Sequence, residues 1–135
     1  MNNWKGVYPA VTTQFHKDLS INFEVTASHI EVLIQSGVSG LVMLGSLGEN
    51  NALLPEEKVE LIRLAISTSN NRVPVVSGVS ELSTSAACTY AKKMEEIGAD
   101  GLMVMPPMAY KAEADESIPY FRAVANASGL PIIVY

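Results

Sequence analysis

The chain has 135 residues, 48% of them hydrophobic and 17% charged, a balance that specifies a folded core rather than a disordered segment. That length fits one domain, and the net charge of -5 argues against nucleic-acid binding, because a phosphate backbone recruits Lys and Arg. Apolar runs such as 41–44 and 131–135 are far shorter than the ~20 residues that span a bilayer. Residues 1–8 are polar and aromatic, with no basic-then-apolar signal pattern, and the single Cys88 has no partner for an internal disulfide. A soluble cytoplasmic domain is expected.

Short runs rich in Val, Ile, Leu and Met occur at 7–12, 40–44, 73–77, 101–105 and 130–135. Strands buried on both faces of a parallel sheet have this composition. After the first run, Phe23, Ala27, Ile30 and Ile34 form a helical stripe that Gly37 ends. Pro55 opens a second helix, with Glu56 and Glu57 at the positive end of its dipole and Val59, Ile62, Ala65 and Ile66 facing inward. Ser83 or Thr84 caps a third, whose buried face is Ala87, Tyr90, Ala91 and Met94 and whose stop is Gly98. The fourth starts near Asp115 and presents Phe121, Val124, Ala125 and Ser128. Pro119 is expected in its first turn, because deeper it would break the helix.

This is a β-α-β-α-β-α-β-α-β order, with strands starting at intervals of about 30 residues, the size of one βα unit. A weak internal repeat supports it: SGVSGLVMLG at 36–45 resembles IGADGLMVMP at 97–106, each with a helix-stopping Gly, a short turn and Gly-Leu opening a strand. Two parallel α/β architectures share the pattern. One is a flavodoxin-like doubly wound sheet, and the other is the first five strands of a (β/α)8 barrel, which needs about 250 residues.

Both place their chemistry at the carboxyl ends of the strands. Those ends carry Thr12-Thr13, Gly45-Ser46-Leu47-Gly48-Glu49-Asn50, Ser77-Gly78-Val79-Ser80, Pro106-Pro107-Met108-Ala109-Tyr110-Lys111, and Tyr135. A phosphoacceptor receiver domain would carry carboxylates after its first and third strands and a Lys at the fifth, where Thr, Ser-Gly and Tyr stand here. A flavodoxin would carry a phosphate-cradling loop after the first strand, and residues 12–17 contain no glycine. Both readings lose ground.

Four ordered segments carry a resemblance: Pro9-Ala10-Val11-Thr12-Thr13, Gly45-Ser46-Leu47-Gly48-Glu49, Val75-Val76-Ser77-Gly78-Val79 and Leu130-Pro131-Ile132-Ile133-Val134-Tyr135. Together they resemble the dihydrodipicolinate synthase / N-acetylneuraminate lyase family across essentially the whole chain. The resemblance implies the N-terminal five strands of a TIM (β/α)8 barrel, in strand order 1-2-3-4-5, with residues 1–135 forming the N-terminal part of a single barrel domain. It also implies a lyase (aldolase, dehydratase or synthase) acting on pyruvate or another 2-oxo acid, with no cofactor beyond a lysine Schiff base. The iminium serves as an electron sink. That lysine lies on the family's sixth strand and matches nothing here, so this chain alone is expected to be inactive. Lys111 is the one lysine at a strand's carboxyl end, and it reads as a solvated loop residue.

By the same resemblance Tyr135 is the catalytic tyrosine that shuttles protons to the Schiff-base intermediates. Ser46 is the hydroxyl residue that holds the substrate carboxylate and relays protons. Gly45 and the backbone N–H groups of Ser46 and Leu47 supply an anion site without a positive side chain. Thr12 lines the pocket floor beside Thr13. Glu49 reads as a loop-bracing carboxylate and Cys88 as a packing residue. His16 and His29 lack metal-ligand spacing, so no metal is expected. A homo-oligomer, dimer or tetramer, is implied.

Two departures turn the reading from true dihydrodipicolinate synthases towards the family's 2-oxo-acid dehydratase and aldolase members. Leu47 replaces the second of two adjacent threonines, and Met108 replaces a tyrosine that reaches a neighbouring subunit's site, with Tyr110 two residues on. The loop at 106–111 resembles members acting on sugar-derived or hydroxyproline-derived 2-oxo acids. Competing with this is a complete five-stranded α/β anion-binding or regulatory module, or a half-barrel that dimerises. Open sheet edges are expected at 7–12 and 130–135, with Val11, Met43 and Val134 pointing into the barrel.

Overall fold

Four short strands lie side by side in chain order: β1 (Leu41–Met43), β2 (Val75–Val79), β3 (Gly101–Val104) and β4 (Ile132–Val134). The structure is a computed structural model and describes residues 4–107 and 113–135. Every pairing is parallel, with Leu41 opposite Val75, Val76 opposite Gly101 and Leu102 opposite Ile132. Between them run α1 (Phe23–Gln35), α2 (Pro55–Ser69), α3 (Thr84–Glu96) and α4 (Ala114–Ala127).

The expected first strand is a correction: residues 7–12 contribute a single parallel bridge, Ala10 to Val42, so among the described residues the sheet has four strands rather than five. Val11 N–H donates to the Val42 carbonyl at 2.9 Å and Val42 N–H donates to the Pro9 carbonyl at 3.0 Å. Pro9 has no N–H to extend the ladder. The bridge nevertheless fixes the topology, because the segment lies beyond β1 while β1 pairs directly with β2. A doubly wound sheet would place it between those two strands. Barrel-type succession is what the chain adopts.

The helix ends follow local chemistry. Asn22 caps α1 by accepting from Val25 N–H at 2.9 Å, and Ser83 caps α3 by accepting from Ala86 N–H at 3.2 Å. Pro55 occupies the first turn of α2, and the Glu57 carboxylate accepts from Leu54 N–H at 2.8 Å. Pro119 departs from expectation: α4 begins at Ala114, which leaves the proline in the second turn. Asp115, whose carbonyl loses its partner there, and Pro119 are both exposed, so water can satisfy the oxygen. The buried positions of α4 are Tyr120 and Val124, while Ala125 is exposed.

One apolar cluster joins the sheet to the helices. Leu41, Met43, Val75, Val79, Leu102 and Val104 meet Ile30, Leu61, Ile62, Ala87, Met94 and Val124, and Cys88 packs at its margin. Each such side chain removed from water stabilises the fold by about 1.5–3 kcal/mol. Period-2 alternation therefore turns Val42, Val76 and Met103 to the opposite, inner face. The expectation for Val11 and Met43 is overturned, since both belong to the helix-side cluster. Val134 shares the face of Ile132 but is 63% exposed.

The inner face is closed at the amino ends of the strands by aromatic rings. Trp4 and Tyr8 lie with centroids 6.5 Å apart. A Cβ on Gly101 would sit 2.5 Å from the Trp4 ring, and one on Gly40 would sit 2.0 Å from the Tyr8 ring. These are the Gly-Leu glycines of the internal repeat. Their partners Gly37 and Gly98 hold φ of 85° and 87° at the ends of α1 and α3. Each repeat glycine thus has a separate physical reason.

Candidate active site

Where β1 ends, the backbone turns sharply. Leu44 is fully buried and holds a left-handed φ of 57°, a conformation that costs an L-residue roughly 1–2 kcal/mol. Its carbonyl approaches Gly78 of β2 so closely that a Cβ there would lie 2.0 Å from the oxygen. Two 3-10 turns follow, at Ser46–Gly48 and Asn50–Ala52, joined at Glu49, whose φ is 58°. Glu49 thus shapes the loop through its backbone rather than through the carboxylate bracing that was expected. Within the first turn the hydrogen bonds begin at Gly48 N–H, which donates to Gly45. The N–H groups of Ser46 and Leu47 are not used by the turn itself.

Two side chains anchor this loop from below. Asn50, 1% exposed, donates through Nδ2 to the Leu44 carbonyl at 2.8 Å and to the Gly78 carbonyl at 3.2 Å. Thr13 donates through Oγ1 to the Gly48 carbonyl at 2.7 Å. Neither contact is visible in the sequence pattern. A Thr or Asn beside a glycine-rich turn signals hydrogen-bonding capacity, but which carbonyl it meets is set by the fold.

Beside the loop, the inner face of the sheet forms a groove of about 240 Å³ lined by Tyr8, Ala10, Val42, Gly45, Ser46, Leu47, Met103, Met105 and Tyr135. Four of the sequence-derived candidates, Ser46, Leu47, Gly45 and Tyr135, therefore converge on one cavity. The Ser46 hydroxyl lies 3.9 Å from the Met105 sulfur, and Tyr135 is tied to β3 by its N–H to the Val104 carbonyl at 3.0 Å. The Tyr135 side chain is 75% exposed, which leaves its hydroxyl available to a ligand. Met105 is held in turn by Tyr120, whose hydroxyl donates to the Met105 carbonyl at 3.0 Å. Burial pushes that phenol up to about 12.

Thr12 is not brought to this groove. Its hydroxyl accepts from Gln14 Nε2 at 2.8 Å and lies 3.5 Å from His29 Nε2. Met108, Tyr110 and Lys111 lie outside the described residues.

A second polar cluster escaped the sequence reading. Lys58 on α2 is only 5% exposed and pairs with Glu81 at 2.7 Å, with its ammonium 5.8 Å from the Tyr90 ring centroid. Tyr90 shares a 2.9 Å hydrogen bond with Ser77, and burial drives its ionisation well above the ordinary tyrosine range. The signal was available: Lys58 precedes Leu61 and Ile62 by three and four residues, so it shares their buried face.

Residues 3–135 match the model of the dihydrodipicolinate synthetase family. The chain belongs to that family. It is 36% identical to a 4-hydroxy-tetrahydrodipicolinate synthase of Chelativorans sp. strain BNC1 over 98% of its own length and 45% of that protein's. Among solved structures it resembles YagE, an E. coli K12 prophage protein of the dihydrodipicolinic acid synthase family solved with pyruvate, at 35% identity and TM-score 0.91. That match covers 96% of this chain and 44% of YagE. N-acetylneuraminate lyase from Mycoplasma synoviae aligns at 26% identity and TM-score 0.90, over 97% of this chain and 46% of the lyase. The chain thus spans a little under half the length of these relatives. The dihydrodipicolinate synthetase family is one of Schiff-base, pyruvate-dependent lyases that need no external cofactor, and the parallel α/β order described above is consistent with part of its barrel. Among the described residues no helix is long and apolar enough to cross a membrane.

Proposed function

We propose that residues 1–135 form the N-terminal part of a single (β/α)8 barrel of a Schiff-base lyase acting on pyruvate or another 2-oxo acid. The observation that carries this reading is the convergence of Ser46, Leu47 and Tyr135 on one groove at the carboxyl ends of the strands. The substrate carboxylate docks against the N–H groups of Ser46 and Leu47 and the Ser46 hydroxyl, an anion site built from fixed dipoles. Tyr135, at the far side of the groove, passes protons to and from the carbonyl oxygen as the carbinolamine forms and loses water. The nucleophilic lysine belongs to the family's sixth strand, and no lysine of this sequence occupies that place. By itself the 135-residue chain binds but does not turn over.

Leu47, where true dihydrodipicolinate synthases carry a second threonine, favours an aldolase or dehydratase of another 2-oxo acid over lysine biosynthesis. We place the protein in the cytoplasm as a homo-oligomer, consistent with its single cysteine and acidic balance.

Titration of the isotopically labelled chain with pyruvate tests the site. Ser46, Leu47 and Tyr135 resonances should move, and an unmoved set refutes the site assignment. Borohydride treatment with pyruvate, read by intact mass, should leave the chain unmodified. A stable pyruvyl adduct on any of its lysines would refute the lysine assignment.

A further inference from the structure

Asn50 lies behind the groove rather than in it. Its two N–H bonds go to the carbonyls of Leu44 and Gly78, where a Cβ on Gly78 would meet the Leu44 oxygen at 2.0 Å. Of the two ends of the amide only the NH2 can donate to carbonyl oxygens, so the orientation of the side chain is fixed and its Oδ1 is left without a partner. An unsatisfied buried oxygen is a cost that native structures rarely tolerate without a reason. The Leu44 peptide supplies that reason. It is held left-handed, with its carbonyl accepting from Asn50, and the next residues are Gly45 and Ser46.

We propose that Asn50 is a positioning residue for the 2-oxo acid carboxylate, an inference that rests on the substrate reading given above. By clamping the strained Leu44 peptide it sets the direction in which the N–H groups of Ser46 and Leu47 point. Asn50 touches no substrate. It acts only through the two carbonyls, and the Thr13 bond to Gly48 fixes the other end of the same turn.

Pyruvate serves as the probe, because the adjacent keto group makes its carboxyl more acidic than an ordinary carboxylic acid, so it stays charged across the pH range used. In the 135-residue chain, Asn50→Ala should weaken pyruvate binding by about tenfold, as expected for two lost hydrogen bonds. It should also move the amide resonances of Ser46, Leu47 and Gly48, and that of Val79 beside the released Gly78 carbonyl, while those of β4 stay in place. Asn50→Asp adds a readout that a purely structural role would not give. Ionised, its carboxylate repels both carbonyls, whereas protonated it donates to one. Its affinity relative to the unsubstituted chain should therefore recover as pH falls from about 8 to about 5. If Asn50→Ala does not fold, this pH-dependent recovery decides the matter, and a flat profile overturns the proposal. Pyruvate affinity within about twofold of the unsubstituted chain, with unmoved Ser46 and Leu47 amides in Asn50→Ala, also overturns it. Should the unsubstituted chain not bind pyruvate, the substrate reading falls by itself. The Ser46 and Leu47 amides of Asn50→Ala then decide the clamp alone, and unmoved resonances refute it.

Discussion

The two ends of the inner sheet face are built on opposite plans. At the amino end, the Tyr8 and Trp4 rings fill the space a side chain would take at Gly40 and Gly101, and the fit is one of rings against bare backbone. At the carboxyl end, a fully buried leucine takes a left-handed turn, an asparagine oxygen goes unpaired, and one strand's carbonyl presses on its neighbour's glycine. At the proposed site a left-handed buried residue, an unpaired amide oxygen and a close backbone approach fall within a few residues of one another. The stable end allows the costly one to persist.

Glycine substitutions should expose that asymmetry most strongly. Gly78→Ala drives a Cβ onto the Leu44 carbonyl, a backbone atom with nowhere to move, and should cost about 3 kcal/mol, the upper end of overpacking effects. Gly40→Ala meets the Tyr8 ring, which can rotate away, and should cost only about 1 kcal/mol. Urea midpoints measure both, and a Gly40→Ala loss larger than that of Gly78→Ala would break the comparison.

Thr13→Val removes the buried bond to Gly48 and keeps the shape, so the orphaned carbonyl should cost about 1–2 kcal/mol. The same unfolding measurement checks it. A change below about 0.3 kcal/mol would mean that the loop is held from the Asn50 side alone.

Away from both ends, left-handed backbone without function should be removable. Leu19 holds φ of 71° at an exposed turn, so Leu19→Gly relieves the strain without opening the core. A gain of about 0.5 kcal/mol is expected after the added freedom of the unfolded chain is subtracted. Destabilisation instead would show that Leu19 makes contacts the backbone argument ignores.

The smallest effect is electrostatic. The Arg72 guanidinium, with help from Gln35, holds the Glu31 carboxyl down at about 2, against an ordinary value of 4.5. A depressed acid contributes stability that is fully present above its unfolded value and is lost as pH falls through the folded one. Melting temperature should therefore fall more steeply between pH 4.5 and about 2 in the unsubstituted chain than in Glu31→Gln, by a modest margin at so exposed a pair. Parallel pH profiles for the two proteins would refute the coupling.

Periodicity made the parallel architecture legible, because strands buried on both faces and helices with one apolar stripe leave distinct signatures. The α3 face of Ala87, Tyr90, Ala91 and Met94 is buried as its spacing implies. What the pattern could not convey was pairing at a sheet edge, so residues 7–12 read as a full strand although only Ala10 bridges to Val42. Nor could it distinguish the two faces of a uniformly apolar strand, which is why Met43 was assigned inward. Site residues were readable where a motif names them, as at Ser46 and Tyr135. Their supports Thr13, Asn50 and Gly78 were not, because each acts through contacts with backbone elsewhere in the chain.

The aromatic floor also gives the protein a built-in optical gauge. Trp4 is the sole tryptophan of the chain, and it is packed over the backbone of Gly101 at the closed end of the groove. Its emission reports whether the amino-terminal segment is seated on the sheet, independently of the helices on the opposite face. A red shift that precedes loss of helical circular dichroism would reveal the segment lifting away first. The floor would then be the earliest part of the fold to open.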